Sequence, residues 1–263
     1  MRGRSIEALI FDVDGTLADT EEAHRQAFND AFQAHGLAFR WSRELYGELL
    51  EVTGGKERLA AFFESAPLGA GERRRLRALV LPLHATKTSC YLERMKRGAV
   101  TLRPGVRRLM MEARAAGVRL AIATTTSPEN VSALLAGSLG DEALAGFSVI
   151  AAGDAVLRKK PAPDIYLCAL NRLGVAARGA VAFEDSAIGV AASKAAGVLT
   201  VATPNEWTRD QDFAAADLVL PCLADPESPL APADAWRIGA PYLGLEQLAI
   251  FHAATLPRVA HFA

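Results

Sequence analysis

For most of its length the chain alternates short, evenly apolar runs with longer amphipathic stretches. The runs at 8–11, 118–123, 148–151, 180–183, 199–201 and 218–220 have the length and composition of buried strands rather than helices. Between them, apolar residues at helical spacing predict helices over 106–116, 128–135, 163–173 and 187–196, ending near Gly117, Gly137, Gly174 and Gly197. Strands alternating with helices predict an α/β fold built on a right-handed, doubly wound parallel sheet. Residues from about 18 to 101 break the pattern, being helical in period with no convincing strand. Helices are expected there over 21–34, 44–50, 57–63 and from 72 towards 95, with a break at Gly54-Gly55. The domain expectation is a core of 1–18 and 102–224 and an inserted helical unit of 19–101. Residues 225–263 follow as a Pro-rich linker and a short apolar segment packed on the core, with a partner or dimer surface as the alternative.

Composition narrows the function classes without choosing among them. A chain of 263 residues, half of them apolar, has material for one large domain with an insertion, or for two domains. A net charge of −1 gives no basis for binding nucleic acid or an anionic membrane, so any anion site is local. The three cysteines, Cys90, Cys168 and Cys222, lack metal-ligand spacing and read as small core residues kept reduced in a cytoplasm, a catalytic thiol being the lesser alternative. Residues 1–5 carry two Arg, but the apolar run after them is interrupted by Glu7 and is too short for a signal or membrane segment. A monomer is expected, with a homodimer as the alternative.

The chemistry centres on Asp12-Val13-Asp14-Gly15-Thr16-Leu17, directly after the first apolar run. The C-terminal ends of parallel strands are where α/β proteins bind ligands. Alternation along a strand would put Asp12 and Asp14 on one face. Two carboxylates that close demand a raised pKa or a bound cation, and Mg²⁺ suits oxygen ligands. Asp-Gly alone is more often a solvated turn.

The string from Phe11 to Thr20 resembles the first motif of the haloacid dehalogenase superfamily, and the family's other motifs follow in order. Thr124 ends the run at 118–123, Lys160 precedes Pro161, and Glu184-Asp185 follows the run at 180–183. Taken singly, Thr124 merely ends a strand and Lys160 beside Lys159 is an exposed pair; the order joins them, and Pro161 selects Lys160. The resemblance implies a Rossmann-like core closed by a helical cap. It makes Asp12 the nucleophile that forms an aspartyl-phosphate and Asp14 the acid and base. Mg²⁺ would be held by Asp12, the backbone carbonyl of Asp14, Glu184 and Asp185. Thr124 and Lys160 would neutralise the phosphoryl oxygens, which a dianionic substrate requires before an anion can attack it. An acid at position 14 implies phosphate-ester chemistry in this family, and leaves phosphatase and mutase both open.

Within the superfamily, Thr20-Glu21-Glu22-Ala23-His24-Arg25, Thr53-Gly54-Gly55-Lys56-Glu57-Arg58 and the string from Ala123 to Val131 resemble the CbbY-type phosphatases of carbon-fixation operons. Over most of residues 6–205 this resemblance implies removal of the carbon-1 phosphate of xylulose 1,5-bisphosphate, an inhibitor of Rubisco. A bisphosphate needs a second anion site, for which the Gly54-Gly55-Lys56 loop is the candidate, the other reading being a helix start. Glu21, His24, Tyr46 and Lys87 match cap positions that touch sugar or phosphate in related members, and Thr125 and Thr126 join them as substrate-binding candidates. His24 and Lys87 are equally readable as helix-surface residues. Arg103-Pro104-Gly105 reads as the return hinge, and the run Arg73-Arg74-Arg75 with Arg77 as a solvated helix face. The resemblance implies a Mg²⁺-dependent phosphatase acting on a phosphorylated sugar, a pentulose bisphosphate, converting xylulose 1,5-bisphosphate to xylulose 5-phosphate; a general sugar-phosphate phosphatase, a phosphosugar mutase of the β-phosphoglucomutase type and a non-catalytic metabolite sensor are the alternatives.

Overall fold

The computed structural model describes residues 6–98 and 100–255. The basic segment at 1–5 and the last eight residues of the tail lie outside the described residues. Strand β1 (Ala8–Phe11) is followed by four helices, α1 (Glu21–Ala34), α2 (Arg43–Leu49), α3 (Gly55–Ser65) and α4 (Ala70–Lys96). The chain then runs through α5 (Val106–Ala115), β2 (Arg119–Ala123), α6 (Pro128–Leu139), β3 (Val149–Ala151), α7 (Asp164–Leu173), β4 (Ala180–Glu184), α8 (Ala187–Ala195), β5 (Leu199–Ala202) and β6 (Leu218–Val219). Two helices close it, α9 (Pro232–Ile238) and α10 (Leu245–Thr255).

The strands form one parallel sheet in the order β3-β2-β1-β4-β5-β6, with Ile10 in register with Ala121 of β2 and Ala182 of β4. All six coincide with the apolar runs, and the reason lies in the packing. Leu9 and Phe11 join Leu120, Ile122, Val181 and Phe183 on one face, against α5 and α6. Ala8 and Ile10 join Ala121, Ala123, Ala180 and Ala182 on the other, against α7 and α8. A sheet buried on both faces has no polar alternation to show.

One expected helix end is corrected. Helix α6 passes through Gly137 and stops at Gly140, whose φ is 90°. A Cβ at Gly137 would stand 3.3 Å from the Met95 carbonyl of α4, so this glycine serves a close helix crossing. Gly117, Gly174 and Gly197 do follow their helices with φ of 65–76°.

Helices α1 to α4 have a core of their own, built on Phe28, Phe32, Trp41, Tyr46, Leu59, Phe63, Leu76 and Leu83. Of the arginine run, Arg75 pairs with Glu72 and Arg77 with Glu64 on the helix surface. The tail packs on α5: Leu230, Leu243 and Leu248 enter the first face of the sheet, and the Arg108 guanidinium lies 4.2 Å from the Tyr242 ring centroid. Glu112 of α5 accepts the Leu245 N–H at 2.8 Å, capping α10. The three cysteines are free and partly buried. Among the described residues no helix is long and apolar enough to cross a membrane.

Candidate active site

The C-terminal ends of β1, β2 and β4 bring Asp12, Thr124, Glu184 and Asp185 to one edge of the sheet. The Asp12 N–H donates to the Phe183 carbonyl at 3.0 Å, extending the β1–β4 ladder by one step and seating its carboxylate beside that of Glu184. Lys160 Nζ donates to Asp12 Oδ1 and to Glu184 Oε1, each at 2.6 Å, and is itself buried. Lys159 turns instead to Asp154 and the Gly153 carbonyl. Burial holds the Asp12 carboxyl up at about 7 despite the opposing pull of Lys160. Burial, with Asp12 and Glu184 close by, likewise pushes the Asp185 carboxyl well above its ordinary range. For Lys160, burial disfavours the charge, but the two carboxylates prevail and raise its pKa.

This concentration of carboxylates fits a divalent cation. One oxygen each from Asp12, Glu184 and Asp185 lie within 4.8 Å of one another. Glu184 Oε2 is buried with no hydrogen-bond partner, while Oε1 is taken by Lys160 and the Tyr166 hydroxyl. Two glycines keep room for the carboxylates: a Cβ at Gly15 would fall 2.2 Å from Asp185 Oδ2, and one at Gly189 would fall 1.9 Å from Glu184 Oε2. An anionic, all-oxygen donor set suits Mg²⁺.

Asp14 does not share this cluster, contrary to the alternation argument. Strand β1 ends at Phe11, and Gly15 turns the chain with φ 79°, so the period of two does not extend to Asp14. Its Oδ1 accepts from Thr20 Oγ1 at 2.6 Å and lies 2.9 Å from His24 Nε2. Lys87 Nζ lies 2.7 Å from His24 Nδ1. An ammonium only donates, so Nδ1 accepts and the Nε2–H donates to Asp14. Burial alone would raise Asp14, but His24 and then Thr20 and Lys87 outweigh it and hold the carboxyl well below its usual range. Burial also lowers Lys87 to about 8.

Above the cluster, α1, α3 and α4 roof a cleft of about 1020 Å³. Asp12, Asp14, Glu21, His24, Gly54, Gly55, Lys56, Lys87, Thr124, Thr125, Thr126, Lys160 and Asp185 all line it. Thr124 directly follows β2, and its Oγ1 accepts the Thr126 N–H at 3.3 Å. Glu184 lies beneath the floor, fully buried. Tyr46 is the exception among the cap candidates: its ring is buried in the cap core, and its hydroxyl is used by Glu21 at 2.7 Å and Arg58 at 3.1 Å. It orients those two residues and does not face the cleft. Lys56 pairs with Asp154, a cap-to-core contact reinforced where Thr53 Oγ1 donates to the Lys160 carbonyl at 2.6 Å.

Sequence reasoning missed four residues here. Arg58 and His84 line the cleft; Arg58 sits one turn after Gly55 at the start of α3, a spacing that faces it the same way as the loop. Burial, then Lys87 and Lys56, hold His84 down at about 4, so it is neutral at ordinary pH. Tyr166 and Asn205, which fix Glu184 and Asp185, carry no local signal, since each acts across the fold.

A model of haloacid dehalogenase-like hydrolases matches residues 6–197. A Rhodobacter capsulatus protein named CbbY is 52% identical over 219 residues, 83% of this chain and 94% of that one. The crystal structure of CbbY from Rhodobacter sphaeroides in complex with phosphate superposes with a TM-score of 0.77 at 48% identity, covering 84% of this chain and 96% of that one. A variant of the latter protein, in complex with xylulose 1,5-bisphosphate, matches with the same TM-score at 47% identity and the same coverage.

Proposed function

Since the chain belongs to the haloacid dehalogenase-like hydrolase family and is a phosphatase, we propose that it hydrolyses xylulose 1,5-bisphosphate to xylulose 5-phosphate and inorganic phosphate, with Mg²⁺ bound by Asp12, the Asp14 carbonyl, Glu184 and Asp185. The observation that carries this reading is the make-up of the cleft, in which Asp12, Asp185 and Lys160 of the core, part of the carboxylate cluster, share one lining with the cations Arg58 and Lys56 of the cap. A molecule with a phosphate at each end matches that charge pattern better than a monophosphate does. The complex of a CbbY variant with xylulose 1,5-bisphosphate supports the choice of sugar.

In this reading Asp12 attacks the phosphorus of the carbon-1 phosphate, the ester oxygen leaves, and an aspartyl-phosphate remains for water to hydrolyse. Bound Mg²⁺ supplies charge neutralisation between the anionic nucleophile and the dianion. Lys160 and the Thr124 hydroxyl face the phosphoryl oxygens as they gain charge. Asp14, kept ionised by Thr20 and His24, is in the form that takes a proton from the attacking water. Protonating the departing sugar oxygen requires Asp14 to gain a proton and give up that clasp. Arg58 and Lys56 receive the phosphate that is not transferred, and the cap excludes water during the first step. A cytoplasmic setting belongs to the same proposal.

Phosphate release is to be measured with xylulose 1,5-bisphosphate, ribulose 1,5-bisphosphate, fructose 1,6-bisphosphate and β-glucose 1-phosphate, with and without Mg²⁺. A Mg²⁺-dependent preference for the xylulose compound is expected. A flat profile would sink the substrate assignment, and sugar phosphate isomerised without free phosphate would replace hydrolysis with a mutase reaction.

A further inference from the structure

Trp207 follows β5 and belongs by chain position to the α/β core, yet it packs with the aromatic cluster of the cap. The Tyr46 ring of α2 meets it edge to face at 5.5 Å between centroids and 83° between planes. The Arg43 guanidinium, also on α2, lies 4.5 Å from the indole centroid and pairs with Glu206 at 3.0 Å. On its other side the same turn reaches the carboxylate cluster. Asn205 Oδ1 accepts the Trp207 N–H at 2.8 Å, and Asn205 Nδ2 donates to Asp185 Oδ2 at 2.8 Å. The Asn205 N–H donates to buried Thr208 Oγ1 at 3.0 Å, and the Asn205 carbonyl accepts from the amides of Thr208 and Arg209. One amide plane thus connects the indole backbone to the Asp185 carboxylate, inside a turn closed by its own hydrogen bonds. Among the described residues the other side-chain hydrogen bond to Asp185, from Thr16, is long at 3.5 Å, which leaves Asn205 as the short bond that sets the carboxylate's orientation.

We infer that the 205–208 turn is a latch through which the seated cap positions the metal ligand Asp185, Trp207 receiving the cap and Asn205 orienting the carboxylate. The inference rests on the proposed reading only in that a divalent cation binds this cluster; it does not depend on the sugar. Neither residue touches the substrate, so both are positioning residues. The latch gives the enzyme a reason to complete its metal site only when the cap is down and water is excluded.

The test is Mg²⁺ binding by calorimetry on the full chain without substrate, with thermal melts on every variant. Asn205→Ala is expected to weaken Mg²⁺ by about tenfold, as removal of a partner to a metal ligand does. Trp207→Ala and Arg43→Ala are expected to weaken it several-fold although neither side chain contacts a carboxylate of the cluster, and Trp207→Phe, which keeps an aromatic edge for Tyr46, to stay near the parent. Trp207→Ala added to Asn205→Ala should cause no further loss, because the path is already cut. Unchanged Mg²⁺ affinity in both Trp207→Ala and Arg43→Ala, or fully additive losses in the double variant, overturns the latch and leaves the phosphatase reading intact. A purely structural Trp207 would lower the melting temperature without moving the affinity, which also overturns it. Arg43→Ala, a surface change, carries the test if Trp207→Ala does not fold. A parent protein that binds no Mg²⁺ overturns both the latch and the metal-dependent reading.

Discussion

Gly189→Ala separates what helix propensity expects from what the tertiary structure dictates. Gly189 lies within α8, with no positive φ to protect, so an isolated helix would gain about 1 kcal/mol from alanine. In the fold, the new methyl carbon would stand 1.9 Å from Glu184 Oε2 and 2.2 Å from its Cδ. The carboxylate must retreat by about 1 Å or more, and it is fully buried, so no solvent space receives it. Retreat strains the 2.6 Å hydrogen bond from Lys160 and the one from Tyr166. Weakening a charged hydrogen bond costs roughly 1.5–3 kcal/mol, and overpacking a core roughly 1–3 kcal/mol. After the helix gain is set against these, a net loss of about 1.5–5 kcal/mol remains. For a chain of this size that corresponds to a melting temperature lowered by about 3–20 °C. Gly71→Ala, in the first turn of α4 with nothing within 4 Å of the added carbon, is the control and should be neutral to slightly stabilising. Urea and thermal melts of the two variants decide the matter. A Gly189→Ala protein as stable as its parent would refute the reading of Gly189 as room kept for Glu184.

Three further outcomes are expected. Asp12→Asn should lower kcat by at least about a thousandfold while circular dichroism and melting stay near the parent; ordinary phosphate release would remove Asp12 as nucleophile. Lys56→Ala should raise KM for bisphosphates by about 10–100-fold and for monophosphates far less, whereas Asp154→Asn, which frees Lys56 from its ion pair, should lower the bisphosphate KM; equal effects on both substrate classes would take Lys56 out of the distal site. Lys87, lowered by burial from 10.5 to about 8, is protonated in both folded and unfolded chains below pH 8, and between about 8 and 10.5 only the unfolded chain keeps the proton. Its contribution to stability therefore rises with pH across that window, and activity should fall on an alkaline limb near 8 as the ammonium that donates to His24 is lost. Lys87→Met should abolish the stability rise and the limb, and a limb that persists in Lys87→Met would assign it to another group.

The sheet was legible in the sequence because every strand is buried on both faces, which leaves uninterrupted apolar runs such as Ala8–Phe11 whose ends coincide with the chemistry. The motif positions Asp12, Thr124 and Glu184-Asp185 were legible for a related reason, since strand ends fix them locally; Lys160, in the loop between β3 and α7, was legible from chain order and from Pro161 after it. Legibility stopped where a residue's role depends on a distant partner. Alternation put Asp14 beside Asp12, but the strand ends one residue before Asp12, and His24 draws Asp14 to the cap. Gly137 read as a helix end because its need, the close approach of Met95, is 42 positions away in the chain. Tyr46 matched a substrate position in sequence, and packing turned its hydroxyl to Glu21 and Arg58.

The sequence by itself determined the strand pattern, the order of the motifs and the chemical character of the site, since these follow from local hydrophobicity, turn residues and charge. Only the tertiary structure decided which oxygen of Glu184 is free, that Tyr166 and Asn205 hydrogen-bond the carboxylates of Glu184 and Asp185, and that Trp207 of the core packs against Tyr46 of the cap. Hydrogen bonds act over about 3 Å, so partners distant along the chain acquire their roles only when folding brings them within that reach.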